Sequence, residues 1–120
     1  MKTVSGRYVG AFVALAGVVA CSGATVKRGT DPVPYNEWCG VVCDRMSSAT
    51  KSKCGAPIMD AATCTSSCDR GRGAKPSQRT YDEAKTCTAL IDSLSCEELG
   101  FALGQATLGM GSYSERCTAR

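Results

Sequence analysis

Histidine is absent from this chain of 120 residues, and aromatic residues make up only 6% of it. Without histidine there is no imidazole base, no imidazole metal ligand and no Cys-x-x-Cys-His haem attachment. One Trp, two Phe and four Tyr cannot build a stacking platform for bases. Other signatures are missing too. There is no Gly-x-Ser-x-Gly elbow, no phosphate-binding loop and no Cys-x-x-Cys redox pair. Ser66 and Asp92 stand alone and read as cap or surface residues. The expectation is a chain that is not an enzyme, with no cofactor, no metal and no nucleic-acid partner. Strand-like alternation and Asn-Gly hairpin signals are lacking as well, which leaves helices.

The abundant residue is cysteine, with nine copies. Their meaning depends on the N-terminus. Lys2 and Arg7 precede an uncharged, mostly apolar run from Val9 to Ala20, too short to span a bilayer, which needs roughly 20 apolar residues. Positive charge, an apolar run and then small residues are the signature of an export signal, assigned to residues 1–20. Val18-Val19-Ala20-Cys21 resembles the lipobox of bacterial lipoproteins, in which the Cys thiol is diacylated and becomes the new N-terminus. That resemblance implies lipidation at Cys21, with Ser22 after it leaning towards the outer membrane. The alternative is ordinary cleavage after Ala24, since Ser22-Gly23-Ala24 also suits a signal peptidase; the product would be a secreted, toxin-like effector. Either route removes Cys21 from an odd set and leaves eight cysteines, a disulfide framework for an oxidising compartment.

Residues 21–34 read as a flexible tether, polar and closed by Asp31-Pro32-Val33-Pro34. Residues 35–120 read as the folded domain. Tyr35, Cys39, Val42, Cys43 and Met46 share one helix face, and the stretch from Lys51 to Pro57 reads as a loop. Asp60 is an N-cap for a second short helix carrying Cys64 and Cys68, with Gly71 as its stop. Thr80-Tyr81-Asp82-Glu83 is a capping box for a third, with Tyr81, Ala84, Cys87, Ile91 and Leu94 facing inward. Beyond Cys96 four glycines weaken the pattern, and Ser112 to Glu115 caps a final short turn. The predicted fold is all-α, with three main helices and a C-terminal turn.

Two Cys-x3-Cys units place their thiols one helical turn apart on one face. If the first two helices run antiparallel, Cys39 faces Cys68 and Cys43 faces Cys64. For the remaining four, Cys54–Cys87 with Cys96–Cys117 is preferred on closure entropy. Cys54–Cys96 with Cys87–Cys117 stays open as the competitor. The expected core is small: Val41, Val42, Ile58, Leu90, Ile91, Leu94, Leu99, Phe101, Leu103 and Leu108, with Trp38 and Met46. Such a core supplies only a few kcal/mol, so disulfides at roughly 2–4 kcal/mol each decide stability.

The spacing from Trp38 to Gly100 resembles short cysteine-rich lipoproteins that myxobacteria encode in large numbers: Cys-x3-Cys, a lone Cys, Cys-x3-Cys, then Cys-x8-Cys and an acidic turn. The resemblance implies an exported helical domain and carries no catalytic motif. Mitochondrial twin Cys-x3-Cys chaperones share the hairpin but lack a cleaved signal.

Formal charge is +3. Residues 26–79 hold nine Lys or Arg against five acids, whereas residues 80–120 hold three against six. Arg70, Arg72, Lys75 and Arg79 form a basic loop able to face an anion such as a polysaccharide or lipid headgroup. Together these readings describe a non-catalytic binding or structural module of the cell envelope. Its expected partners are the membrane, through the lipid, and an unidentified protein or polysaccharide.

Overall fold

The structure, a computed structural model, describes residues 27–120; the expected export signal, Cys21 and the start of the expected tether lie outside them. Over the described residues the fold is mostly helical, with five helices and a two-stranded sheet rather than helices alone. In order the elements are β1 (Pro32–Pro34), α1 (Tyr35–Cys54), α2 (Ala61–Asp69), β2 (Pro76–Thr80), α3 (Tyr81–Ser93), α4 (Cys96–Ala106) and α5 (Gly111–Cys117).

Pro34 stands in an extended conformation and launches α1, whose buried face carries Trp38, Cys39, Val42, Cys43, Met46, Ala49 and Thr50. The helix does not stop at the Ser/Thr-rich stretch; it runs through the expected loop to Cys54. Thr50 explains this. Its hydroxyl donates to Met46 O at 2.9 Å and accepts from Ile58 N at 2.9 Å, so a buried polar side chain is satisfied within and beyond the helix. Gly55, at φ 91°, supplies the left-handed stop and donates to Lys51 O.

Asp60 caps α2 by accepting from Thr63 N at 3.0 Å. No residue of α2 is buried. Disulfides Cys39–Cys68 and Cys43–Cys64 join it to α1, each with Cα atoms 5.7 Å apart. These are the two rungs read from the paired spacings. A nine-residue helix with no apolar anchor is unstable alone, so α2 owes its place to covalent links.

The sheet was not expected. β1 pairs antiparallel with β2, Pro32 opposite Thr80 and Pro34 opposite Pro76. Ser77 donates its hydroxyl to Val33 O at 2.6 Å, and Val33 is 1% exposed. Upstream, Asp82 N donates to Gly29 O at 2.9 Å. Lys27 lies 3.4 Å from Glu37, which also accepts from the Tyr81 hydroxyl at 3.0 Å. The tether expected through Pro34 is therefore docked on the domain from Lys27 onward.

Thr80 and Glu83 form the expected capping box at the start of α3, which buries Cys87 and Ile91. A second box, Ser95 with Glu98, opens α4 across the glycine-rich stretch expected to be irregular. Leu99 and Ala102 point inward from α4. The last turn also differs: α5 begins at Gly111, with Met110 at the cap position and no side-chain cap.

The remaining cysteines pair as Cys54–Cys96 and Cys87–Cys117, which overturns the preferred Cys54–Cys87 and Cys96–Cys117. The closure-entropy advantage of the preferred set is only about 0.5 kcal/mol, because the cost grows with the logarithm of loop length. Packing outweighs that easily. Cys96 opens α4 beside the C-terminal end of α1, where Lys53 donates to Asp92 O and Leu94 O. Cys87, mid-helix and fully buried, meets Cys117 of α5 in the core.

That core is smaller than the sequence suggests. Val33, Trp38, Val42, Met46, Ile91 and Leu99 surround the buried cysteines. Val41, Ile58, Phe101 and Leu108, all expected inside, are exposed.

Candidate functional site

A groove of about 320 Å³ lies between α2 and the C-terminal segment. Its floor is Val42 and the disulfides of the hairpin, its far wall is Tyr113 and Thr118, and Arg70 and Arg72 stand at its rim. Local sequence explains the rim. Asp69 Oδ1 accepts from Gly71 N at 2.9 Å, and the chain turns through two left-handed residues, Arg70 at φ 49° and Gly71 at φ 79°. An Arg in that conformation costs on the order of 1 kcal/mol relative to Gly. Arg72 lies with its guanidinium 4.4 Å from the Tyr35 ring centroid, which limits its motion.

The four residues of the expected anion-facing loop do not act together. Arg70 and Arg72 line the groove, while Lys75 is exposed away from its lining. Arg79 is 2% exposed and belongs to the interior. Its Nε donates to Thr118 O at 2.9 Å, its Nη2 to Glu115 O at 2.8 Å and its Nη1 to Glu83 at 3.2 Å. The guanidinium also sits 5.1 Å from the Trp38 ring centroid. Burial pulls its pKa down, with repulsion from Arg120 adding to this and Glu83 partly opposing it. The Glu83 carboxyl is held below the usual range, chiefly by the backbone N–H of Thr80. A concavity of about 380 Å³ adjoins Arg79, Glu115 and Arg120, but Arg79 directs its donors at protein acceptors, so its role there is structural.

Tyr113 and Thr118 had no signal in the sequence that linked them to Arg70 and Arg72, more than forty positions earlier; the Cys87–Cys117 link, the Arg79 clasp and the Trp38 indole bond to Cys117 O bring them together. Burial pushes the Tyr113 phenol up to about 12. The folded state thus favours the neutral phenol. This contribution is complete below the unfolded value near 10 and is lost as pH rises from about 10 to about 12. The Tyr113→Phe protein should lose less stability across that range than the parent, by about 2 kcal/mol. Urea midpoints at matched alkaline pH values test this; identical pH dependence in both proteins would refute it.

All eight described cysteines are in disulfides, which implies an exported, oxidising setting. No helix among the described residues is long and apolar enough to cross a membrane. Among those residues no cluster of three or more potential ligands is arranged for a metal ion. No family model, curated protein or solved structure matches the chain.

Proposed function

We propose that this chain is an exported lipoprotein, anchored through Cys21 to the outer membrane, whose disulfide-stapled domain binds an anionic ligand without catalysis. The observation that carries the ligand class is the pairing of Arg70 and Arg72 over an apolar floor, with Arg70 held in a costly left-handed conformation. Two guanidinium groups beside a hydroxyl-bearing wall suit the sulfated or phosphorylated sugars of an envelope polysaccharide. Five residues, 22–26, separate Cys21 from the docked chain, a contour of at most about 18 Å. A lipid at Cys21 therefore keeps the domain close to the membrane surface.

One experiment in two steps tests this. The wild-type protein should pellet with membranes, and Cys21→Ser should move it into the soluble fraction; continued pelleting would refute the anchor. The soluble Cys21→Ser protein is then titrated with dextran sulfate. Replacing Arg70 and Arg72 with alanine should weaken binding about 10-fold or more and flatten its salt dependence. Equal binding by the double variant would refute the groove.

A further inference from the structure

The four disulfides are not equally enclosed. Cys39, Cys43, Cys87 and Cys117 are buried, so three of the links have at least one cysteine in the interior. Cys54–Cys96 has none: Cys54 is exposed and Cys96 is half-buried. Beside this bond lies an open concavity of about 190 Å³, lined by both cysteines together with Thr50, Ala56, Ile58 and Gly100. A thiol can therefore approach the bond without unfolding the domain.

The two ends of the bond differ chemically. Cys54 is the last residue of α1, at the negative end of that helix, and Cys96 is the first residue of α4, at the positive end of the other. Charge left on Cys96 falls beside the N–H groups of the first turn of α4, whereas charge left on Cys54 faces carbonyls. Glu97 and Glu98 oppose this preference. Lys53 offsets them, because its ammonium donates to Asp92 O and Leu94 O at the corner that leads into Cys96. We infer that Cys54–Cys96 is a thiol-exchange site, at which an external thiolate attacks Cys54 Sγ. The bond to Cys96 breaks, a mixed disulfide forms on Cys54 and Cys96 leaves as the thiolate, so the exchange needs no oxidant. Opening stays local, since the Lys53 clasp, the capping box of α4 and buried Leu99 still hold the two helix ends in place. Cys96 remains poised to attack the mixed disulfide and restore the original bond, which makes the adduct reversible. The arginine groove keeps its wall throughout, because none of its lining belongs to this link.

The test uses the oxidised chain with Cys21→Ser, at neutral pH and without denaturant. It is incubated with glutathione, or with a folded protein that bears a single exposed cysteine. Samples are quenched in excess N-ethylmaleimide and mapped by mass spectrometry. The first opened molecules should carry the added thiol on Cys54 and maleimide on Cys96, with the other six cysteines still paired. Trp38 fluorescence and dextran sulfate binding should be unchanged. Diluting the thiol before the quench should return the closed disulfide. Trapping by glutathione alone supports the site and assigns it to small thiols, whereas trapping by both thiols supports it and extends it to a protein partner. Adducts on Cys96 as often as on Cys54, first modification at any other pair, or modification only in urea would overturn the inference. The Cys54→Ala, Cys96→Ala protein should yield no adduct under the same exposure; an undiminished yield would equally overturn it.

Discussion

Arg79→Ala is expected to destabilise the domain by about 3 kcal/mol, more than any other single substitution of a charged residue here. Two effects combine. Thr118 O and Glu115 O lose the donors that hold the C-terminal segment against the sheet, and the Trp38 ring loses its cover. Glu83 adds little to the loss because its side chain is 39% exposed and can rehydrate. Arg79→Lys should recover only a minor part, since one ammonium cannot reach three acceptors in a planar fork. Arg79→Met keeps most of the volume and isolates the hydrogen-bonding share. Trp38 is the single tryptophan, so its fluorescence reports urea unfolding at this very contact. A loss below about 1 kcal/mol for Arg79→Ala would mean that the C-terminal segment holds without the clasp.

Arg79 also shows where sequence reading runs out. In a run containing Arg70, Arg72 and Lys75 it looks like one more solvated cation. Its burial follows from β2, where Ser77 and Arg79 alternate inward at period two. That strand is legible only once its partner is known, and the Val33–Ser77 contact spans 44 positions. Two proline-bearing segments give no local strand signal. Features written within four residues fared differently. The Thr80–Glu83 box, the Asp60 cap and the paired Cys-x3-Cys units need no knowledge of distant chain, and each stands in the structure where local chemistry puts it. Ser95-Cys96-Glu97-Glu98 is equally local, but Gly100 and Gly104 obscured it. A glycine in a helix costs about 1 kcal/mol, and the box together with buried Leu99 outweighs that. The groove was half legible: Arg70 and Arg72 are visible as a basic loop, whereas the opposite wall depends on the C-terminal cysteine pairing.

That pairing leads to the second large expected effect. Replacing both Cys87 and Cys117 with alanine should cost about 1 kcal/mol more than replacing both Cys54 and Cys96, and should alone dismantle the groove. Closure entropy alone predicts otherwise. For sequence separations of 30 and 42 it gives about 3.7 and about 4.0 kcal/mol, slightly favouring the longer link. Burial reverses the order. Cys87 and Cys117 lie in the core with Trp38, whose indole donates to Cys117 O at 2.9 Å, so their removal also leaves a void costing on the order of 1–2 kcal/mol. It also frees α5, whose seven residues cannot remain helical unaided. The arginine groove then loses its Tyr113 and Thr118 wall. The Cys54–Cys96 link sits at the surface, with Cys54 exposed, and α4 keeps its capping box and buried Leu99 without it. The Cys87→Ala, Cys117→Ala protein should therefore lose about 5 kcal/mol, enough to abolish a cooperative melt in a domain of this size. The Cys54→Ala, Cys96→Ala protein should lose about 4 kcal/mol, the closure share without a void, and keep dextran sulfate binding because the groove wall stays in place. The same difference in exposure predicts the order of reduction: limited dithiothreitol followed by alkylation should label Cys54 and Cys96 before any other pair. Equal losses from the two double variants, or first labelling at Cys87 and Cys117, would show that burial does not set the hierarchy of these links.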